Sequence, residues 1–261
     1  EALAHENAPP GTYLTDYLTD RAIDLIRRRD GRPFFLNLWH YAVHTPIQAR
    51  RTAIRRSEKR AQMLGLDRMK TFEEGEPFPT LHKRHLRVTR RLRQSDPAYA
   101  AMVANLDWNI GRVLKALDDE GLAATTLVVV TSDNGGLSTA EGSPTCNAPL
   151  AEGKGWMADG GVRVPLIVRW PGTVPPGSRC AVPVTGTDFF PTLLEAAGRR
   201  PRPRRHPDGV SLLPLLKGEA RLDRDAIFWH YPHYGNQGGT PGSAVRWGDW
   251  KLIEFFEDGR R

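Results

Sequence analysis

Cysteine is scarce in this chain, and long apolar runs are missing. The two cysteines, Cys146 and Cys180, are too few for a disulfide framework or a cysteine zinc site, and they leave the redox compartment open. No run of about 18 apolar residues occurs, so we expect no transmembrane segment. A Gly-x-Ser-x-Gly sequence is also missing, which leaves a hydrolase with a serine nucleophile without support.

The remaining composition is that of a globular protein. The chain has 261 residues, of which 39% are hydrophobic, and this length can bury a substantial core. We expect one large domain, or one domain and part of a second.

Positive charge is concentrated between Arg50 and Arg93. This segment holds 14 Lys or Arg against five Asp or Glu, a local net charge of +9 in a chain whose total is +7. It could meet a polyanion such as a sulfated glycan, RNA or an anionic membrane surface. A solvated helical insertion is the favoured interpretation. Phe72 and Phe78 are its only aromatic residues, which argues against a platform for single-stranded nucleic acid, so we expect no nucleic-acid partner.

Apolar periodicity predicts alternating helices and strands. A helix should contain Leu14, Leu18, Ala22 and Leu25, and another should begin at Pro97 with Asp96 as its N-cap. Apolar runs predict strands at residues 34–39, 127–131 and 166–170, and a helix at 189–197. This alternation indicates an α/β fold with a largely parallel central sheet flanked by helices. Residues 226–231 and 244–256, the latter broken by Gly248 and Asp249, predict a small antiparallel C-terminal subdomain.

Two polar motifs follow the predicted strand 127–131. Asp133 and Asn134 come at the carboxyl end of this apolar run, where open α/β sheets place ligands, and they offer hard oxygen atoms that suit a divalent cation. Lys154 lies between two glycines, so its backbone can approach a ligand closely while its ammonium group binds an anion. Taken alone, an Asp-Asn-Gly sequence more often caps a turn, and a lone lysine is more often a surface residue.

The order in which several motifs follow one another along the chain favours ligand-binding roles over turn-capping and surface roles. These two motifs, with a His-x-Pro sequence at His44 upstream and three apolar or glycine-rich motifs downstream, resemble the type I, formylglycine-dependent sulfatases of the alkaline-phosphatase-like superfamily. The downstream motifs are Leu166-Ile-Val-Arg-Trp-Pro-Gly172, Thr187-Asp-Phe-Phe-Pro-Thr-Leu-Leu-Glu-Ala-Ala-Gly198 and Asp208-Gly-Val-Ser-Leu-Leu-Pro-Leu-Leu-Lys-Gly-Glu219.

The resemblance implies roles for these residues. Asp133 and Asn134 would be ligands of a calcium ion, or less often a magnesium ion, and Lys154 would contact a non-bridging sulfate oxygen. His44 would hydrogen-bond the ester near the leaving oxygen and donate a proton to it, a role that suits imidazole near neutral pH. His230 and His233 are candidates for lining the substrate cleft, with packing or turn roles as the alternative.

The family's nucleophile motif is absent from this chain. In the family, Cys/Ser-x-Pro-x-Arg carries the residue that becomes formylglycine, but Cys146 precedes Asn-Ala-Pro and Cys180 precedes Ala-Val-Pro. We therefore expect a fragment that lacks this N-terminal part and is inactive alone. Residues 1–198 would be the C-terminal part of the catalytic domain with a basic insertion at 50–93. Residues 199–225 would be a linker and loop, and residues 226–261 the truncated start of the C-terminal subdomain.

The implied activity is hydrolysis of a sulfate ester, of a sulfated carbohydrate or an aryl sulfate, with release of inorganic sulfate. Family members are commonly exported, so the resemblance suggests a periplasmic or secreted protein. Two alternatives remain open. One is a phosphodiester or phosphonate monoester hydrolase of the same superfamily. The other is a non-catalytic fragment that binds polyanions through its basic segment.

Overall fold

A computed structural model describes residues 8–219 and 221–261. Its helices are α1 (Leu14–Arg27), α2 (Arg51–Met63), α3 (Pro97–Asp119), α4 (Asp159–Val162), α5 (Phe189–Ala196) and α6 (Leu213–Leu216). Its strands are β1 (Phe72–Pro77), β2 (Arg87–Arg91), β3 (Val128–Thr131), β4 (Leu166–Arg169), β5 (Ala226–Tyr231), β6 (Gly242–Trp247) and β7 (Trp250–Phe255). The chain forms two compact units. The first is Glu1–Thr71 with Arg93–Thr126, and the second is Phe72–Leu92 with Leu127–Arg261.

The first unit is built from α1, α2 and α3. Both α1 and α2 pack against α3. Ala22 and Ile26 on α1 are buried, as are Met102 and Leu117 on α3. Helix α2 carries the first half of the basic segment and buries none of its residues, as predicted for a solvated helix. Among the described helices, none combines the length and the apolar character that crossing a membrane requires.

Helix α3 begins where the sequence predicts. The Asp96 side chain accepts a hydrogen bond of 2.9 Å from the backbone N–H of Tyr99, and Pro97 occupies the first turn. The buried face is less apolar than the periodicity suggests, because Asn109 is fully buried. Its amide donates a hydrogen bond of 2.8 Å to the carboxylate of Asp16 on α1. A polar pair therefore joins the first turn of α1 to the buried face of α3.

Residues 34–39 form no strand among the described residues, so this prediction was wrong. The segment is irregular, and the side chains of Phe35 and Trp39 are 74% and 79% exposed. A strand needs a neighbour to satisfy its backbone N–H and C=O groups. None of the described strands pairs with this segment, and an apolar run alone does not supply that neighbour.

The second unit contains three antiparallel sheets. Strands β1 and β2 form one, β3 and β4 form another, and β5, β6 and β7 form the third. The C-terminal sheet was predicted, including the break that separates β6 from β7 at Gly248 and Asp249. The largely parallel pairing is not observed, because every pair of described strands is antiparallel.

The connection between β3 and β4 explains this direction. Parallel neighbours require a crossover that carries the chain back along the sheet, usually a helix. Residues 132–165 contain only the four-residue α4, so the chain returns to the sheet through loops. The pair is also less buried than the apolar run predicts, since Val129 is 36% exposed and Ile167 is 63% exposed.

The second half of the basic segment is not a solvated helix, which corrects that interpretation. It forms the β1–β2 hairpin of the second unit, and Val88 on β2 is completely buried in a cluster with Phe78 and Ala140. Burial of Val88, an apolar residue within a charge-rich sequence, therefore favours a packed hairpin over a solvated helix in this half of the basic segment.

Candidate active site

Asp133 and Asn134 lie in the loop that directly follows β3. Asp133 is exposed and Asn134 is half-buried. The Asn134 amide nitrogen donates a hydrogen bond of 3.0 Å to the carbonyl oxygen of Gly135, while the Ser132 hydroxyl donates one of 2.9 Å to the Asn134 carbonyl. Because the amide nitrogen is turned toward the loop, Oδ1 is the Asn134 atom that suits a hard cation.

The loop that carries Lys154 runs beside the Asp133 loop. The backbone N–H of Lys154 donates a hydrogen bond of 3.1 Å to the carbonyl oxygen of Gly136. A second bond of 2.9 Å runs from the N–H of Gly135 to the carbonyl oxygen of Gly161. The structure therefore brings two predicted motifs, which are well separated in sequence, into direct backbone contact.

Asn147 holds these loops together through its side chain. Its amide nitrogen donates hydrogen bonds of 2.8 Å to the Gly136 carbonyl and 2.9 Å to the Glu152 carbonyl. Its amide oxygen accepts one of 3.1 Å from the N–H of Gly136. All three bonds use backbone groups, so Asn147 acts like a neighbouring strand for this segment.

The glycine before Lys154 is required by packing within the protein. A Cβ atom on Gly153 would overlap the carbonyl oxygen of Gly136, and it would lie 2.8 Å from the amide nitrogen of Asn147. The sequence predicted that the glycines flanking Lys154 let a ligand approach the backbone. At Gly153 the close neighbour is instead the Asp133 loop, so this glycine is needed for the two loops to meet.

A cleft of about 600 Å³ lies beside the Lys154 loop, within the range of small-molecule sites. Its lining includes Gly155, Arg90, Glu152, Trp156 and Tyr231. The charged residues are paired, because Arg90 binds both Glu152 and Glu76 at 2.8 Å. These hydrogen bonds raise the pKa of Arg90 and lower the pKa of Glu76.

His230 and His233 belong to the same unit. His230 lies near the end of β5. Its Nδ1 lies 2.8 Å from the Ser243 hydroxyl, and its ring packs against Phe256. His233 follows β5, and its ring lies edge-on to that of Tyr231 at 5.3 Å. Both histidines are exposed. A cleft-lining role for them remains a prediction.

His44 belongs to the first unit, within a turn. Its backbone N–H donates to the Tyr41 carbonyl at 3.0 Å, and its Nδ1 lies 2.9 Å from the Thr45 carbonyl oxygen. A carbonyl oxygen can only accept, so this contact favours the tautomer with hydrogen on Nδ1. His40, four residues earlier, has both ring nitrogens buried without a hydrogen-bond partner among the described residues.

Three residues of this region were not identified from the sequence. Arg90 and Glu152 contact each other across 62 residues, and Asn147 binds backbone groups through its side chain; no local periodicity marks such contacts. One signal was present. An isolated glycine within a strand often marks a close approach, and Gly75 within β1 lies directly under the guanidinium of Arg90.

The described residues contain no cluster of three or more His, Cys, Asp or Glu side chains arranged to hold a metal ion. Asp133 and Asn134 offer two oxygen atoms of the hard type, and a complete calcium shell of six to eight oxygens would need others. The chemistry of this pair fits a calcium or magnesium ion as a partial ligand set.

Comparison with known proteins places these loops in a family. The family model described as Sulfatase matches residues 2–199, and a second one, described as N-sulphoglucosamine sulphohydrolase, C-terminal, matches residues 152–261. A protein from Formosa agariphila named Sulfatase is 34% identical to this chain, covering 94% of the chain and 42% of that protein. Mouse steryl-sulfatase is also 34% identical, covering 93% of the chain and 33% of that protein.

A similar fold has been solved by crystallography. The crystal structure of Ps i-CgsB in complex with k-i-k-neocarrahexaose matches with a TM-score of 0.69 and 27% identity, covering 94% of this chain and 47% of that chain. The predicted α/β fold class is confirmed by this similarity. The chain spans less than half the length of these three relatives. The predicted resemblance is also confirmed: the chain belongs to the sulfatase family, within the alkaline-phosphatase-like superfamily.

Proposed function

We propose that the protein containing this chain hydrolyses a sulfate ester to an alcohol and inorganic sulfate. The observation that carries this proposal is the hydrogen bond from the Lys154 N–H to the Gly136 carbonyl, at 3.1 Å. It joins the loop that carries a cationic side chain to the loop that carries a carboxylate and amide pair, which suits a divalent cation. A sulfate group is an anion, and two positive charges side by side would bind it and stabilise the charge that develops during its transfer.

Asp133 and Asn134 would hold the metal ion, calcium in the first place and magnesium as the alternative. When bound, the ion supplies a positive charge that polarises the sulfate oxygens. The nucleophile would be a formylglycine residue from a Cys/Ser-x-Pro-x-Arg motif, which these 261 residues lack.

Lys154 and His44 would act on different atoms of the ester. The Lys154 ammonium would bind a non-bridging sulfate oxygen as a point charge. His44 would donate a proton from Nε2 to the departing alcohol oxygen, since the Thr45 carbonyl favours hydrogen on Nδ1. Lys154 would thus serve every substrate, whereas His44 would matter most when the alcohol is a poor leaving group.

The substrate is proposed to be a sulfated carbohydrate or an aryl sulfate. Two findings support the carbohydrate. The model that matches residues 152–261 is described by an enzyme that acts on N-sulphoglucosamine, and a structural relative was crystallised with k-i-k-neocarrahexaose. The cleft beside Lys154, with its paired charges and aromatic side chains, offers the polar and apolar contacts that a sugar ring uses.

The test is release of inorganic sulfate by the whole purified protein from 4-nitrophenyl sulfate and from sulfated monosaccharides. Phosphonate monoester and phosphodiester analogues are assayed in parallel. We expect kcat/KM to be highest for a sulfate ester. A preference for either phosphorus ester would contradict the proposal in favour of a phosphohydrolase. A folded protein that binds sulfated glycans but releases no sulfate would indicate the non-catalytic alternative.

A further inference from the structure

Glu152 lies two residues before Lys154 and has an unusual backbone. Its φ angle is +59°, in the left-handed region that residues with a Cβ atom rarely adopt. Its carbonyl oxygen is one of the two that Asn147 binds. A residue in this conformation must be held by its surroundings, so the contacts of its side chain matter for the path of the loop.

Arg90 on β2 holds that side chain. Its Nε lies 2.9 Å from Oε2 of Glu152, and its Nη2 lies 2.8 Å from Oε1, a two-pronged contact typical of guanidinium and carboxylate groups. The same guanidinium lies over the ring of Trp156, 5.5 Å from its centroid. Arg90 therefore touches the residues two before and two after Lys154.

The Arg90 guanidinium is also held by a second carboxylate, that of Glu76. Glu76 on β1 accepts from Nη1 at 2.9 Å and from Nη2 at 2.8 Å. Gly75 leaves the space that the guanidinium occupies, because a Cβ atom there would overlap Nη1. Two carboxylates and an aromatic ring thus surround one cation, which restricts it to a single geometry.

The hairpin that carries Arg90 is anchored to the segment between the two site loops. Ser143 donates a hydrogen bond of 2.6 Å from its hydroxyl to the Thr89 carbonyl, and Arg91 donates one of 3.0 Å from its N–H to the Ser138 carbonyl. The neighbouring Val88 is completely buried. Arg90 therefore extends from a rigid support.

These pairings also show that two cations in this half of the basic segment are matched by carboxylates. Arg87 pairs with Glu74 at 2.8 Å, Arg90 with Glu76 and Glu152, and Arg91 is buried. Arg87 and Arg90 are poor candidates for binding a polyanion because their charge is already matched, and Arg91 is a poor candidate because it is buried.

We infer that Arg90 is a positioning residue that sets the place of Lys154 in the site. It holds the bend at Glu152 before the lysine and packs on Trp156 after it. The inference rests on the proposed function for its effect on catalysis. It stands independently for the ordering of the loop.

Hydrogen exchange measures that ordering without any activity. In the whole protein we compare Arg90→Gln with Arg87→Gln, a matched control on the same strand whose partner Glu74 does not touch the Lys154 loop. We expect faster exchange at the Lys154 amide, which the Gly136 carbonyl binds, in Arg90→Gln alone. Equal exchange in the wild type and Arg90→Gln would overturn the inference, even if the protein proved not to be a sulfatase.

A double-mutant cycle measures the effect on sulfate ester hydrolysis. Arg90→Gln should lower kcat/KM by about 10- to 100-fold, the scale expected for a displaced catalytic group, and Arg90→Lys should restore part of it. In a Lys154→Ala background, Arg90→Gln should cost little more, because Arg90 acts through Lys154. An equal loss in both backgrounds would overturn the inference.

Gly75→Ala provides a second route if Arg90→Gln does not fold. This substitution changes no charge and displaces only the Arg90 guanidinium. We therefore expect faster exchange at the Lys154 amide and a lower kcat/KM, both smaller in size than in Arg90→Gln. A folded Gly75→Ala protein with a displaced guanidinium, wild-type exchange and wild-type kcat/KM would contradict the role of Arg90. A wild-type protein without sulfatase activity would contradict the proposed function instead.

Discussion

The backbone N–H of Lys154 lies 3.1 Å from the carbonyl oxygen of Gly136, and this hydrogen bond joins the two loops of the candidate site. One loop offers oxygen ligands for a cation and the other offers an ammonium group. Their contact is made by backbone atoms, and Asn147 closes it from the side. The positions of the functional side chains therefore depend on groups that have no chemical role in the reaction.

Removal of the Asn147 side chain should loosen both loops at once. Asn147→Ala deletes three hydrogen bonds to backbone groups, and we expect a loss of about 1–3 kcal/mol in the free energy of unfolding. Asn147→Asp should lose almost as much, because a carboxylate cannot donate to the Gly136 and Glu152 carbonyls. Urea denaturation measures both, with exposed Asn37→Ala as the control. Equal stability of Asn147→Ala and wild type would refute the role of Asn147 in holding the two loops together.

The buried pair of Asp188 and Arg224 should dominate the stability of the region around α5. Asp188 is completely buried, and Arg224 donates to its carboxylate at 2.7 and 2.9 Å. Arg224→Gln leaves this carboxylate without its counter-charge, and we expect a loss of about 3–5 kcal/mol. The exposed Arg204→Gln should change stability by less than about 0.5 kcal/mol. Similar unfolding midpoints for the two variants would show that solvent or other donors compensate.

Acidic pH should destabilise the first unit through His40. Burial lowers the pKa of His40 from its ordinary value of 6.5, because the charged imidazolium loses hydration. Below about pH 6.5 the unfolded chain binds a proton that the folded chain resists, so this contribution is present above that pH and lost as the pH falls. Melting temperature should therefore decrease from about pH 7.5 to 5.5 more steeply in the wild type than in His40→Phe. Exposed His85→Phe should keep the wild-type slope, and identical slopes in all three would count against this account.

The 261 residues alone should bind calcium weakly. Asp133 and Asn134 would be only two ligands, and the described residues contain no cluster of three or more acidic, His or Cys side chains that could hold a metal ion. Oxygen sites gain affinity from ligand number and carboxylate charge. Isothermal titration calorimetry of the isolated chain should show a Kd far above micromolar, and Asp133→Asn should weaken binding further. Sub-micromolar binding that survives Asp133→Asn would place the calcium site elsewhere.

Local signals predicted several elements well. Asp96 and Pro97 marked the start of α3 because capping depends on adjacent residues. Gly248 and Asp249 marked the turn between β6 and β7 for the same reason. The strand at 34–39 was wrong, and the parallel pairing is not observed among the described strands, since strand pairing depends on distant partners. The domain boundaries at residues 198 and 225 remain predictions.

In the candidate site, too, local motifs predicted some residues and missed others. Asp133, Asn134 and Lys154 could be chosen from short motifs, because the order of these motifs along the chain resembles that of a known family. Asn147, Arg90 and Glu152 could not, since their importance lies in contacts between loops and strands that no short motif marks. The left-handed backbone at Glu152 has no sequence signature, because glycine is the residue expected there.

The most direct test of the account is the kcat/KM of the whole protein for 4-nitrophenyl sulfate, measured for the wild type and for Lys154→Ala. Loss of one charge-stabilising contact typically costs about 10²–10³ in rate, so we expect a decrease of that size with unchanged folding. The exposed Lys217→Ala should retain wild-type activity. If Lys154→Ala released sulfate as fast as the wild type, Lys154 would not contact the sulfate group, and the site proposed for these two loops would be wrong.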